Sequence, residues 1–160
     1  MDEVSGQSES SPHIRMVSAL SLPARCEAFE ALRAHLATAA DRLRIPERER
    51  SHLLIAADEI FSNIAAYAYP DGGGTVEIQL AANPDGSELF LIFADRGIPF
   101  DPLAAAPPDT AAPLADRRIG GLGIHVVRRL MDRVAYRRTD DGRNLLTLTK
   151  RLPATAEAHP

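Results

Sequence analysis

The chain has 160 residues, 45% of them hydrophobic and 25% charged, with a formal net charge of −4. That is one domain's worth of chain, able to bury roughly 68–70% of its unfolded surface, and its composition excludes wholesale disorder. The longest apolar runs, Leu89 to Ala94 and Ile64 to Tyr69, fall far short of the roughly 18 residues of a membrane span, and Cys26, the only cysteine, excludes an internal disulfide or a cysteine-rich metal site.

Residues 1–12 are polar and acidic, with neither a basic nor an apolar stretch of the kind a signal peptide needs. They read as a disordered leader, residues 13–152 as one folded domain and 153–160 as a disordered tail. A cytoplasmic protein with no membrane partner is expected.

The first strand is expected over residues 14–22, IRMVSALSL. Pro23 then opens a helix to about Leu43, with Phe29, Leu32, Leu36, Ala39 or Ala40 and Leu43 stepping by three and four. A second helix starts at Pro46, with Glu47 and Glu49 complementing its dipole, and runs to about Ala68. Residues 75–81 alternate as a half-buried strand. After the N-P-D-G turn, residues 88–94 form a strand buried on both faces and ending on Asp95. A proline- and alanine-rich segment from Pro99 to Arg118 lacks periodicity, as functional lids and insertions do. Gly120-Gly121-Leu122-Gly123 leads into a third helix, and residues 134–139 and 144–151 close the chain as a hairpin. The order of helices and hairpins predicts an α+β fold: a two-layer sandwich with a mixed, mainly antiparallel sheet and helices on one face.

Three clusters carry possible chemistry. Glu59 and Asn63 stand four apart, stacked along one flank of the second helix's apolar stripe, while Asp58 and Ser62 point to solvent. An amide oxygen there can ligate Mg²⁺ and a carboxylate can take a proton, although E-x-x-x-N also describes an ordinary amphipathic boundary. Asp95-Arg96-Gly97 puts an acid at a strand end before a sharp turn; it suits an exocyclic amine, and equally a plain Asx turn. Gly120 to Gly123 at a helix start make a phosphate seat, with Arg117 and Arg118 just upstream, or a simple hinge. The loop lacks the Gly-Lys-Ser/Thr of a Walker A motif.

In series these clusters are more specific. The stretches DEIFSNIAAYAYPDGG, FADRGIPFDP, GGLGIHVVRRLMDRV and NLLTLTKRL resemble the histidine-kinase-like ATPases (GHKL, Bergerat fold), and within them the small anti-sigma-factor serine kinases. The resemblance implies ATP and Mg²⁺ as cofactors, with Asn63 the metal ligand and Glu59 the general base. It implies Asp95 on the adenine amine, Gly97 making room for the ring, Arg118 and the Gly120, Gly121, Leu122 and Gly123 loop on the phosphates, and 101–118 as the lid. The implied partners are an anti-anti-sigma (STAS-domain) protein phosphorylated on serine, a sigma factor, and a second copy of the chain. Tyr67 stands where relatives often have histidine, and Ile119 where an arginine commonly precedes the loop.

Nine of the 17 arginines fall between Arg117 and Arg151. They suit an oxyanion- or protein-binding surface, but with 26 alanines in the chain they also suit a genome rich in arginine and alanine codons, the weightier reading. Direct nucleic-acid binding is not expected of an acidic chain with 5% aromatics. With so few residues before the first strand, no phospho-acceptor helix is expected upstream. The alternative function is a nucleotide-dependent protein-binding module that transfers no phosphate.

Overall fold

The computed structural model describes residues 14–104 and 121–154, with side chains in the second stretch from Gly123 onward. Its strands are β1 (Arg15–Pro23), β2 (Thr75–Ala82), β3 (Glu88–Asp95), β4 (Arg133–Arg138) and β5 (Asn144–Arg151). Its helices are α1 (Phe29–Arg42), α2 (Glu47–Asn63) and α3 (Gly121–Leu130). The five strands form one sheet in the order β1-β2-β3-β5-β4, and each pairing is antiparallel. The α+β sandwich expected from the order of elements is therefore present, with no parallel pair among the described residues.

Alternation puts one row of side chains on the helix side. Ile78 pairs with Phe93 and Phe93 with Leu146, while Leu80, Leu91 and Leu148 form the next row. Both rows are buried against Leu32 and Leu36 of α1, Leu53, Ala57 and Ile60 of α2, and Ile124 and Val127 of α3. Burying such side chains contributes roughly 1.5–3 kcal/mol each before entropy is charged against it. Phe61, fully buried, meets Phe29 edge to face at 5.1 Å between ring centroids and so locks α2 to α1.

One boundary departs from expectation. Pro23 closes β1 instead of opening a helix; it pairs with Thr75 on an edge strand, where a missing N–H is tolerated. The chain then makes one 3-10 turn, Cys26–Ala28, before α1, and Cys26 is exposed there. α1 ends at Arg42 with Leu43 as its cap, where the stepping of apolar residues puts it, although no glycine marks the stop. Arg44 takes the left-handed conformation (φ 53°), and Arg44 and Ile45 donate to the Asp41 and Ala40 carbonyls at 3.1 and 3.0 Å, a Schellman stop built on arginine.

Candidate nucleotide-binding site

The wall of the site begins where α2 ends. After Asn63 the helix widens into a π turn, Ile64–Ala68, a distortion that recurs at functional positions. Pro70 then forces Tyr69 out of helical geometry (φ −128°, ψ 78°). This turn brings Ile64, Tyr67 and Ala68 alongside Ile60 and Asn63 on one side of a cleft. The sequence showed a helix to Ala68 but gave no sign of its last turn opening.

Opposite stands the end of β3. Asp95 is 7% exposed, and its Oδ1 accepts from the Gly97 N–H at 2.8 Å and from Asn144 Nδ2 at 2.9 Å. Its Oδ2 receives no donor among the described residues. The loop beyond is stitched to the π turn, since Ile98 N–H donates to the Ala68 carbonyl at 2.9 Å. A Cβ at Gly97 would lie 2.6 Å from that of Ala68, so this glycine is required by close backbone approach as well as by any ring above it. Tyr69 Oη donates to the Thr75 carbonyl at 2.8 Å and accepts from the Arg96 N–H at 2.9 Å. Burial pushes that phenol above its usual range, against the pull of these bonds.

Asn144 is the polar residue that the sequence did not single out. It opens β5 in register with Asp95 and is 6% exposed. With Tyr136 from β4 and Leu146 it forms the floor of the cleft. The D-D-G turn places Asn144 at a strand start, but nothing local shows that this strand pairs with one 49 residues earlier.

The first turn of α3 borders the cleft through Ile124. Gly121 and Gly123 lie inside that turn, where backbone N–H groups have no partner within the helix. A Cβ at Gly123 would collide with the Glu59 carboxylate, so the expected base lies directly against the expected phosphate seat. Leu122 belongs to the same turn. Arg118, Gly120 and the lid beyond Ala104 lie outside the described residues; within the near end of that lid, Pro102 is buried in the cleft wall.

The structure thus joins Asn63 and Asp95 in one mainly apolar cleft, seats Gly97 behind Asp95, and sets Glu59 beside Gly123. Apolar walls with few polar groups suit a nucleobase. No group of three or more His, Cys, Asp or Glu able to hold a metal occurs among the described residues. Mg²⁺, which takes one or two protein ligands and completes its shell with phosphates and water, fits the Asn63 amide, which has no hydrogen bond among those residues. None of the described helices is long and apolar enough to cross a membrane.

Comparison with known proteins gives the family. The histidine kinase-like ATPase domain model matches residues 22–150. Serine/threonine-protein kinase BtrW of Bordetella bronchiseptica is 37% identical over 108 residues, covering 68% of this chain and 75% of that protein. Serine-protein kinase RsbW of Halalkalibacterium halodurans is 31% identical over 135 residues, covering 82% and 80%. Among solved structures, a Mycobacterium tuberculosis chain with RsbU and RsbW domains aligns at a TM-score of 0.57 and 18% identity. It is covered over 32% of its length by 84% of this chain, and supports the fold alone. The chain belongs to the histidine kinase-like ATPase domain family, within its serine-protein kinases of the RsbW and BtrW type.

Proposed function

We propose that the chain binds Mg-ATP in this cleft and transfers the γ-phosphoryl group to a serine of a separate anti-anti-sigma, STAS-domain partner. The observation that carries the reading is the convergence of Asn63, Asp95 and the α3 first turn on one cleft, with Glu59 against Gly123. Asp95 Oδ2 accepts from the adenine amine, and the walls from Ile60 to Ala68 exclude water from the ring. The N–H groups of Gly121 to Gly123 hold phosphate oxygens at the positive end of α3, with Arg118 and Gly120 as further donors. Asn63 holds Mg²⁺, which when bound neutralises phosphate charge. The partner's serine oxygen attacks the γ-phosphorus as the bond to the bridging oxygen of ADP breaks, and Glu59 takes the hydroxyl proton. A sigma factor as a second binding partner, a homodimer and a cytoplasmic location complete the reading, on the strength of the family.

The test is Glu59→Gln. Phosphoryl transfer to a serine-bearing STAS protein should fall at least about a hundredfold, the scale of a lost general base, while ATP affinity stays within about threefold. Equal loss of both would remove Glu59 from the base role. Wild-type protein that binds ATP tightly yet transfers nothing would instead make the chain a nucleotide-gated binding module.

A further inference from the structure

At the β1 edge of the sheet, β1 and α1 enclose a second recess. It shares no lining residue with the nucleotide cleft among the described residues. Its strand side is shaped by a bulge. Met16 pairs with Ala81 and Ser18 with Leu80, so Val17 is an extra residue without a partner. Beyond the bulge Ser18 stands in register with the helix-facing row of Leu80, Leu91 and Leu148, a place where an apolar side chain is expected. The helix side comes from Ala34, His35, Thr38 and Arg42, which recur along one face of α1.

Two buried polar atoms of this lining, Ser18 Oγ and His35 Nε2, have no hydrogen-bond partner among the described residues. They belong to different elements and meet at one recess. A hydroxyl or ring nitrogen taken out of water without a partner costs its desolvation, and an alanine at position 18 would avoid that cost. Arg42 lines the same recess, is exposed, and its side chain makes no hydrogen bond or ion pair among the described residues. Thr38 donates its hydroxyl to the Ala34 carbonyl at 2.9 Å, which leaves Ser18, His35 and Arg42 as the unassigned donors. No acidic residue is among those lining the recess.

We propose that this recess binds a small organic carboxylate. Ser18 Oγ–H and His35 Nε2–H donate to its oxygens, and the Arg42 guanidinium supplies one full positive charge on a planar fork that matches a carboxylate. Val17, Ala34 and Ala39 are small and apolar, and accommodate a short hydrocarbon body beside the charged head. One guanidinium balances one carboxylate, whereas a phosphate would bring up to two negative charges against it. The site stands apart from nucleotide binding and does not rest on it.

Acetate and butyrate are the probes, since they share a head and differ by two methylenes. Each is titrated calorimetrically into the full chain as wild type, Ser18→Ala and Arg42→Gln, and melting is followed with and without butyrate. Arg42 is exposed and Ser18→Ala removes a single oxygen, so neither change opens the core. Wild type should bind butyrate at about the millimolar level and about tenfold tighter than acetate, the scale of two buried CH₂ groups. Butyrate should raise its melting temperature by mass action. Each variant should bind butyrate at least about tenfold more weakly, as loss of a hydrogen bond to a charged group does. Without butyrate, Ser18→Ala should melt no lower than wild type, because its hydroxyl has no protein partner to lose.

Absence of butyrate binding in wild type would overturn the proposal; if Ser18→Ala then also melts lower, the recess holds ordered water instead. Equal affinity for acetate and butyrate would overturn it as well. So would butyrate affinity unchanged in either variant, which would place the anion elsewhere on the molecule.

Discussion

Strand β5 carries buried polar side chains at both ends, Asn144 at its start and Lys150 near its finish, 6% and 9% exposed. Lys150 Nζ donates to the Leu130 carbonyl at 2.7 Å and lies 3.6 Å from Asp132, whose carboxylate also accepts the Arg151 N–H at 2.8 Å. That cluster bonds the fold to itself and lines no part of the cleft. It fastens the C-terminus of α3, where a cation complements the helix dipole, and a compact ammonium suits a single carbonyl better than a planar guanidinium does. At the Asn144 end the bonding is as dense, yet Asp95 Oδ2 takes no donor among the described residues and stands beside a cleft. Both ends meet the demand that buried polar groups be paired. What separates a site from a fastening is the unspent acceptor, not the burial.

The comparison breaks first at Asp95. Asp95→Asn exchanges an acceptor for a group that must donate somewhere, and ATP affinity should fall by between about ten- and a hundredfold in calorimetric titration, with little loss of stability. Lys150→Met should do the reverse. Leaving the Leu130 carbonyl and Asp132 without their cation should cost about 2 kcal/mol in chemical denaturation, while ATP affinity stays within about threefold. Were Lys150→Met to abolish binding and spare stability, the two ends would not divide as described.

A smaller effect sharpens the contrast through pH. His52 on α2 has a buried Nδ1 with no hydrogen-bond partner among the described residues. Burial first, then the charges of Lys150 and Arg48, hold its imidazolium pKa below the usual value, against weaker support from Glu49 and Asp132. A lowered folded-state pKa means that the unfolded chain binds the proton more readily. Its stabilising contribution is complete above the unfolded value of about 6.5 and is lost as pH falls through the folded one. Stability measured from pH 7 down to 5 should therefore decline in wild type and decline less in His52→Gln. The smallest effect belongs to α1: Arg44→Gly should stabilise by about 0.5 kcal/mol by relieving the left-handed residue, net of glycine's greater unfolded freedom, and leave nucleotide binding unchanged.

Much of this architecture was legible in the sequence because its signals are local. Leu32, Leu36, Ile60 and Ile64 step along helices, Val76, Ile78 and Leu80 alternate along a strand, and Asn83-Pro-Asp-Gly86 and Asp140-Asp-Gly142 mark turns. Glu59, Asn63 and Asp95 were legible as a series, since each has a local pattern of its own. Asn144 and Tyr136 were not. Their importance comes from the β3–β5 and β4–β5 registers, which depend on pairing between distant segments and leave no mark on the residues. The π turn escaped for a similar reason: Ile64 to Ala68 has ordinary helical composition, and the close approach of Ala68 to Gly97 joins segments distant in sequence. The end of α1 was legible from the stepping of its apolar residues, without the glycine that normally announces such a stop.

The central claim is a Mg-ATP site at the junction of α2, β3 and α3, and calorimetric titration of ATP with and without Mg²⁺, on wild type and Asn63→Ala, tests it most directly. The account predicts binding that Mg²⁺ strengthens in wild type, with that strengthening lost in Asn63→Ala. Wild-type protein that binds no ATP, or an Asn63→Ala variant with unaltered Mg²⁺ dependence, would contradict it.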